Sequence, residues 1–382
     1  MAIFPFELEE ELTIFREQCL KFTSQHIADH AVEWEEAGQF PRALYREAAD
    51  AGILGAGLPE SLGGSGGDLL YPFVAAEAML TAGSTGVIVG LQSMGIAIPP
   101  ILTLGTEAQQ QRFIPSTLRG ETIMALAVTE PGAGSDVAGL KTTAVRDGDD
   151  YILNGSKLFI TSGVRADYVV TLARTGPERH AGLTFFVVEK GMPGFKASRA
   201  LKKTGWWASD TAELVYDNVR VPARNRLGDE GSGFVAVMQN FVTERLMLAF
   251  LGHATAEIAL ADALAYARQR QIFGQAVTEF QVNRHKIAKM ATQVDVAKTY
   301  NYALALRVRA GERPVGEVAM AKNFAGEVAI QVCYEAVQLM GGMGYMRESR
   351  VERLSRDARL LPIGGGTAEV MNEVIARWAV KI

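Results

Sequence analysis

The hydrophobic period of this chain changes twice, and that double switch limits the folds open to it. From about residue 7 to residue 120 apolar residues recur near helical spacing, as in Leu8, Leu12, Phe15, Leu20 and Phe22. From Met124 the pattern becomes short segments rich in β-branched and aromatic residues: Tyr151 to Leu153, Lys157 to Thr161, Tyr168 to Ala173, Leu183 to Glu189 and Ala212 to Tyr216. From about Gly233 long helical patterns return. This order predicts an α+β fold in three parts: an N-terminal α-helical domain over 1–122, a middle antiparallel β-barrel or sandwich over 123–226, and a C-terminal four-helix bundle over 227–382. In the first part Asp68 stands where it would cap a helix, and Val87 to Leu104 reads as one further helix carrying Gly95 and Ala97. The glycine-rich stretch 58–68 reads as a connecting loop, since no strand precedes it and no GKS or GKT follows. In the middle part Asn154-Gly155 predicts a type I′ hairpin turn. Thr278 to Arg309, Val315 to Gln338 and a segment from Thr367 onward supply the remaining bundle helices.

A chain of 382 residues that is 48% hydrophobic can bury large cores. Its formal net charge of -5 argues against a dedicated nucleic-acid partner, because phosphate binding needs a concentrated basic surface. Cys19 and Cys333 lie far apart without metal-type spacing, so both are expected to be free, buried and in a reducing compartment. The acidic N-terminus lacks the blocks of an export signal, and no uninterrupted apolar run reaches about 18 residues; the expectation is a cytoplasmic protein without a transmembrane segment. His26 and His30 share the i,i+4 spacing of a helical metal site, but neither an HExxH pattern nor a nearby cysteine joins them, and no metal is expected. Glu257, Asp262, Asp357 and Glu369 read as solvated or helix-capping acids.

Two features point to chemistry. Val128 to Ser135, reading VTEPGAGS, combines a carboxylate, a proline, two glycines and two hydroxyls, which suits a loop that brings backbone and hydroxyl donors close to a flat ring or a phosphate. In the last third Val237, Phe241, Leu248 and Leu251 form one helical stripe, and Glu244 interrupts it. A carboxylate pointing where apolar neighbours point has its pKa raised by desolvation, as a general base requires.

TEPGAGSDVAGLKT resembles the flavin-contacting signature of the acyl-CoA dehydrogenase family, and NGSKLFITSG, DTAELVYDNVRVP, RQIFG, QLMGGMGY and GGGTAEVMNEVIAR extend the resemblance over nearly the whole chain. The resemblance implies FAD as cofactor. Val128, Thr129, Phe159 and Thr161 match flavin-ring contacts, with Phe159 standing where many relatives carry tryptophan, and Ser135 matches a position serving the flavin or the thioester-side phosphates. Arg270, Phe273, Gln338, Gly341 and Gly342 match positions that reach the adenine half of FAD across a subunit boundary, which implies a homotetramer built as a dimer of dimers. Thr367 and Glu369 match positions near the pyrophosphate and ribityl chain.

In most branches of the family the catalytic carboxylate stands where this chain has Gly365; in the long-chain and isovaleryl branches a small residue takes that place and the glutamate lies on the earlier helix, where this chain has Glu244. The resemblance therefore implies α,β-dehydrogenation of an acyl-CoA thioester, with Glu244 as base, the Gly365 N–H as a donor to the thioester carbonyl, and Arg245 supporting the site. It also implies electrons passed to an electron-transfer flavoprotein and a place in fatty-acid β-oxidation. Longer or branched acyl chains are expected, with Phe241, Gly95 and Ala97 on the acyl side, and Trp206-Trp207 as a pocket wall or a docking patch. A flavin oxidase or monooxygenase on the same fold, and a nucleic-acid-binding relative, stand as alternatives.

Overall fold

A computed structural model describes residues 8–380. The first seven residues, on which the reading of the N-terminus partly rests, lie outside the described residues. Among the described residues seven α-helices come first: α1 Glu10–His26, α2 Ala31–Ala37, α3 Ala43–Asp50, α4 Leu70–Leu80, α5 Thr85–Leu91, α6 Met94–Leu104 and α7 Glu107–Leu118. Local signals explain their ends. Asp68 accepts from the N–H of Leu70 at 2.8 Å, Ser84 caps α5 through the N–H of Val87, and Thr106 forms a reciprocal capping box with Gln109. The expected single helix over Val87 to Leu104 is two, interrupted at Gln92 and Ser93, and the Ser93 hydroxyl uses that break to donate to the carbonyl of Met124 at 3.2 Å. The stretch 58–68 is a loop around one short helical turn, and its glycines serve packing: a Cβ on Gly64 would stand 2.3 Å from the carbonyl oxygen of Leu58.

The middle part is one eight-stranded sheet: β1 Met124–Ala127, β2 Thr143–Asp147, β3 Asp150–Thr161, β4 Tyr168–Arg174, β5 Leu183–Glu189, β6 Phe195–Ala197, β7 Thr211–Pro222 and β8 Arg226–Leu227. Its order is β6-β7-β3-β2-β4-β5-β8, with β1 added beside β4. Pairing is antiparallel except that β1 and β2 run parallel to β4, and a single residue pair joins β2 to β4. At that weak seam the sheet folds over, so that Tyr151 of β3 meets Phe186 of β5 and Thr171 of β4 meets Tyr216 of β7 inside a sandwich core.

The Asn154-Gly155 hairpin is not formed. Asp150–Thr161 is one continuous strand, and the chain reverses earlier, around Gly148, between Asp147 and Asp150. Asn154-Gly155 instead makes a bulge against β7, where pairing shifts from Leu153↔Val219 to Gly155↔Tyr216. Partners on both sides of β3 outweigh the local turn preference, and the freedom of Gly155 (φ 145°) is spent on the bulge, where a Cβ would meet Thr142 Oγ1 at 2.5 Å.

The C-terminal part begins with α8 Gly233–Gln269, followed by a small hairpin, β9 Gln271–Ile272 and β10 Gln275–Ala276. Then come α9 Gln281–Arg309, α10 Val315–Met340, α11 Gly342–Tyr345, α12 Arg350–Ala358 and α13 Ala368–Val380. Helix α12 was not legible as a separate element, although Val351, Leu354 and Ala358 give it one buried face. Two stretches, Thr85–Leu104 and Gly233–Gln269, are long and apolar enough to cross a membrane by length and composition, contrary to the count of uninterrupted runs; roughly half of each lies buried within the fold. Phe73 of α4 stacks on Phe250 of α8 at 4.7 Å, so the first and last parts share one core.

All three parts meet at the loop carrying Trp206 and Trp207. Trp206 is buried and donates its N–H to Asp357 at 2.6 Å, while Glu35 accepts from the N–H of Trp207 at 3.2 Å. The Trp207 ring lies between the guanidinium groups of Arg356 and Arg347, 3.7 and 4.4 Å away. The tryptophans are thus a joint between domains. Asp357, expected to be solvated, is buried there, and burial together with the nearby Glu35 charge pushes it up to about 7. The other acids differ: Glu257 pairs with Lys298, Asp262 with Arg350, and Glu369 is exposed.

The bulge yields a test. Gly155→Ala should lower the unfolding free energy by about 1–3 kcal/mol, the cost of one strained backbone position, read by chemical denaturation. An unchanged midpoint would mean that the strand absorbs the Cβ without strain.

Candidate active site

The VTEPGAGS loop is tied down by its carboxylate. Glu130 is buried and accepts from the N–H groups of Lys141 and Thr142 at 2.6 and 2.9 Å and from Lys157 Nζ at 2.9 Å. Burial alone would raise its pKa, but the Lys157 charge and these bonds hold it below the usual carboxylate range. Lys157, fully buried on β3, is pulled down to about 8 by burial and also donates to the carbonyl of Val128 at 3.0 Å. The N–H of Leu158 donates to the carbonyl of Thr129 at 2.8 Å, which lays the loop along the FIT strand. With the carboxylate turned inward, the outer face stays open. Nothing lies within 4 Å of where a Cβ would stand on Gly132 or Gly134, Ser135 is exposed, and Phe159 adopts φ 61° with 65% of its surface free. Val128, Thr129 and Thr161 are half-buried around this cradle. Neither Glu130 nor Lys157 was singled out from the sequence, yet this pair shapes the loop.

Helix α6 connects the cradle to Glu244. Its preceding Ser93 holds the start of β1, which runs into the loop, and its Ile96 carbonyl accepts from Asn240 on α8 at 3.1 Å. Glu244 lies one turn further along α8. The residue is half-buried, and its Oε2 is shielded from solvent with no hydrogen-bond partner. Burial pushes its pKa up to about 7 against the opposing charges of Arg245 and Lys322. Arg245 packs its guanidinium 4.9 Å from the Phe241 ring and donates from Nε to the carbonyl of Gly365 at 3.0 Å. Gly365, distant in sequence, is thereby held against the turn of α8 that carries Glu244.

The same packing disfavours a side chain at 365. Gly365 has φ 65°, and a Cβ there would stand 2.6 Å from Leu248 Cδ1. Among the described residues the N–H of Gly365 has no protein acceptor, so this donor is available to a ligand. Lys322 of α10 was missed by the sequence reading. Its ammonium donates to the carbonyl of Gly366, and the one available signal was a lysine on the alanine-rich face of a long helix.

Other expected site residues stand apart from these two centres. Gly95 is open to solvent with nothing within 4 Å of its Cβ position, whereas Ala97 is fully buried in the core, so the two do not line one tunnel wall. Arg270, Phe273, Gln338, Gly341 and Gly342 are exposed, Phe273 to 95%, and among the described residues none bonds to the cradle of its own chain. Thr367 Oγ1 accepts from the N–H of Val370 at 3.3 Å at the start of α13, and Glu369 is held below its usual range by backbone and Thr367 bonds. His26 pairs with Glu47 and His30 with Glu33, and no metal-holding cluster occurs among the described residues.

Family models for the N-terminal, middle and C-terminal domains of acyl-CoA dehydrogenase match residues 9–121, 125–219 and 231–380. The chain belongs to the acyl-CoA dehydrogenase family. It is 41% identical to the long-chain specific mitochondrial acyl-CoA dehydrogenase of Mus musculus, over 97% of this chain and 87% of that one. A probable acyl-CoA dehydrogenase from Mycobacterium abscessus has a solved structure that superposes with a TM-score of 0.96 at 51% identity, covering 97% of this chain and 99% of that one. Butyryl-CoA dehydrogenase from Megasphaera elsdenii superposes with a TM-score of 0.94 at 36% identity, covering 98% and 99%.

Acyl-CoA dehydrogenases are FAD-dependent, and the residues present fit that cofactor: the loop leaves open space at Gly132 and Gly134, and the exposed Phe159 ring on the adjoining strand offers an aromatic face to a flat ring. When bound, the flavin supplies a hydride acceptor.

The burial of Glu244 gives a prediction with a definite sign. A carboxyl whose folded pKa of about 7 exceeds its ordinary 4.5 binds more protons folded than unfolded, so its contribution to stability falls as pH rises between those values. In substrate-free, FAD-loaded protein Glu244→Gln should therefore be more stable than wild type at pH 8, by up to about 3 kcal/mol, and nearly equal at pH 4.5. A glutamate that serves the fold through an ion pair predicts a less stable Gln variant at pH 8, where thermal melts decide.

Proposed function

We propose that this acyl-CoA dehydrogenase oxidises medium- to long-chain or branched acyl-CoA thioesters to trans-2-enoyl-CoA, with Glu244 as the base that removes the α-proton. The observation that carries this reading is an unpartnered Glu244 oxygen on the α8 turn whose Arg245 holds the Gly365 carbonyl, with the Gly365 N–H left unbonded among the described residues. Gly365 N–H would donate to the thioester carbonyl, where negative charge develops as the α-proton leaves. Glu244 would receive that proton on the shielded oxygen, at a pKa near neutral pH that suits a general base. Arg245 keeps the donor in place through the Gly365 carbonyl.

Val128, Thr129, Phe159, Thr161 and Ser135 would hold the flavin end of FAD, and Thr367 and Glu369 its pyrophosphate and ribityl part. Arg270, Phe273, Gln338, Gly341 and Gly342 would hold the adenine half on a neighbouring subunit, a reading supported by their exposure on this chain, and would make the enzyme a dimer of dimers. Electrons would pass to an electron-transfer flavoprotein, whose approach is supported by the exposed Phe159 edge. Fatty-acid β-oxidation is the setting that suits this reaction. The cytoplasm is our reading of its location, supported by two free buried cysteines.

The long-chain preference is supported by a glycine at 365 paired with a glutamate on α8. Anaerobic titration of FAD-loaded protein should bleach the flavin with dodecanoyl-CoA at a higher catalytic efficiency than with butyryl-CoA. The reverse order would remove the chain-length assignment, and no bleaching by either would remove the reaction.

A further inference from the structure

Two cations grip two consecutive carbonyls of the loop packed on the α8 turn that carries Glu244. Arg245, on α8, donates to Gly365 O at 3.0 Å, and Lys322, on α10, donates to Gly366 O. The loop between α12 and α13 is thereby drawn into the groove between these helices. Cβ positions built on Gly365 lie 3.8 Å from Lys322 Cε and 3.9 Å from Arg245 Cγ, and one on Gly366 lies 3.7 Å from an Arg245 guanidinium nitrogen. Both glycines have positive φ, 65° and 101°, so the loop holds a backbone shape that needs external attachment.

The consequence follows from peptide geometry. A carbonyl and the N–H of the next residue point in opposite directions across a planar trans peptide. Turning the Gly365 and Gly366 carbonyls inward therefore turns the N–H groups of Gly366 and Thr367 outward, and together with Gly365 N–H they leave three donors without a protein acceptor among the described residues. Lys322 itself is 1% exposed. A lysine in such a place is desolvated at a cost, and here the carbonyl of Gly366 is its hydrogen-bond acceptor. The charges that face it are Arg245 and Glu244 from α8 and Glu369 from α13.

We propose that Lys322 is a positioning residue for dehydrogenation: its ammonium fixes the donor loop through Gly366 and supplies, with Arg245, the positive field that lets Glu244 ionise in a desolvated site. The proposal rests on the reading of Glu244 as base. It separates from that reading because the ionisation of Glu244 can be followed without turnover. Lys322 acts before any proton moves, so its removal should alter the readiness of the base and the aim of the donors more than the affinity for acyl-CoA.

The test uses FAD-loaded Lys322→Gln and Lys322→Met. Gln keeps a donor for the Gly366 carbonyl and removes the charge; Met removes both. Isotope-edited infrared titration, taken as the difference from the same protein carrying Glu244→Gln, reads the Glu244 carboxyl directly. Its midpoint should rise by about half a pH unit or more in both variants, because a like-signed neighbour of Arg245 has been lost from beside a carboxylate. Flavin reduction by dodecanoyl-CoA at pH 7 should slow about tenfold in the Met variant, with acyl-CoA affinity within about threefold of wild type, and recover in part in the Gln variant. If Met loses FAD, the Gln titration decides alone. An unmoved Glu244 midpoint in the Gln variant overturns the proposal, as does a Met variant that reduces its flavin at the wild-type rate. Should wild-type flavin resist every acyl-CoA, the base reading fails first, and the infrared midpoint still reports whether Lys322 governs Glu244.

Discussion

A carboxylate oxygen shielded from water without a hydrogen-bond donor is unfavourable, and the surroundings of Glu244 are built around keeping it so. The residue sits in the apolar stripe of α8, where raised proton affinity follows from desolvation, and it is restrained from simple neutralisation by Arg245 beside it and Lys322 across the groove. Those same cations hold the Gly365 and Gly366 carbonyls, so charge balance and loop position are one arrangement. A side chain at 365 would be strained at φ 65° and would press on Leu248, so the loop favours glycine where the helix carries the carboxylate.

The pattern of a buried ionisable group organising a loop recurs twice. Glu130 and Lys157 turn the VTEPGAGS backbone so that its glycines face outward, and Glu35 with Asp357 seat the Trp206-Trp207 loop between the helical domains. In each case buried carboxylates accept backbone N–H groups that would otherwise be unsatisfied, which offsets part of their desolvation. These joints fix the sandwich relative to both helical parts, and α6, held at Ser93 and Ile96, sets the flavin cradle and Glu244 in relation to each other.

Much of this was legible in the chain. The two changes of period mark the alternation of helical, sheet and helical parts, since side-chain spacing reports secondary structure directly. Glu244 was visible as an acid inside an apolar stripe, and the glycine at 365 gained meaning only beside it. What escaped notice depended on tertiary partners. Asn154-Gly155 is a strong local turn signal, but strands on both sides of β3 made it a bulge. Lys322 and Asp357 look like ordinary surface charges until α8, α12 and the tryptophan loop close around them. Ala97 is small like nearby Gly95, but two residues along a helix point in different directions, and Ala97 lies in the core.

The central claim is that Glu244 removes the α-proton, and stopped-flow flavin reduction under anaerobic conditions on Glu244→Gln tests it most directly. Glutamine preserves shape and polarity while removing the proton acceptor, so the variant should fold and retain FAD and acyl-CoA while its flavin is reduced on the order of 10²-fold or more slowly than wild type. Reduction at close to the wild-type rate, with FAD fully bound, would contradict the account.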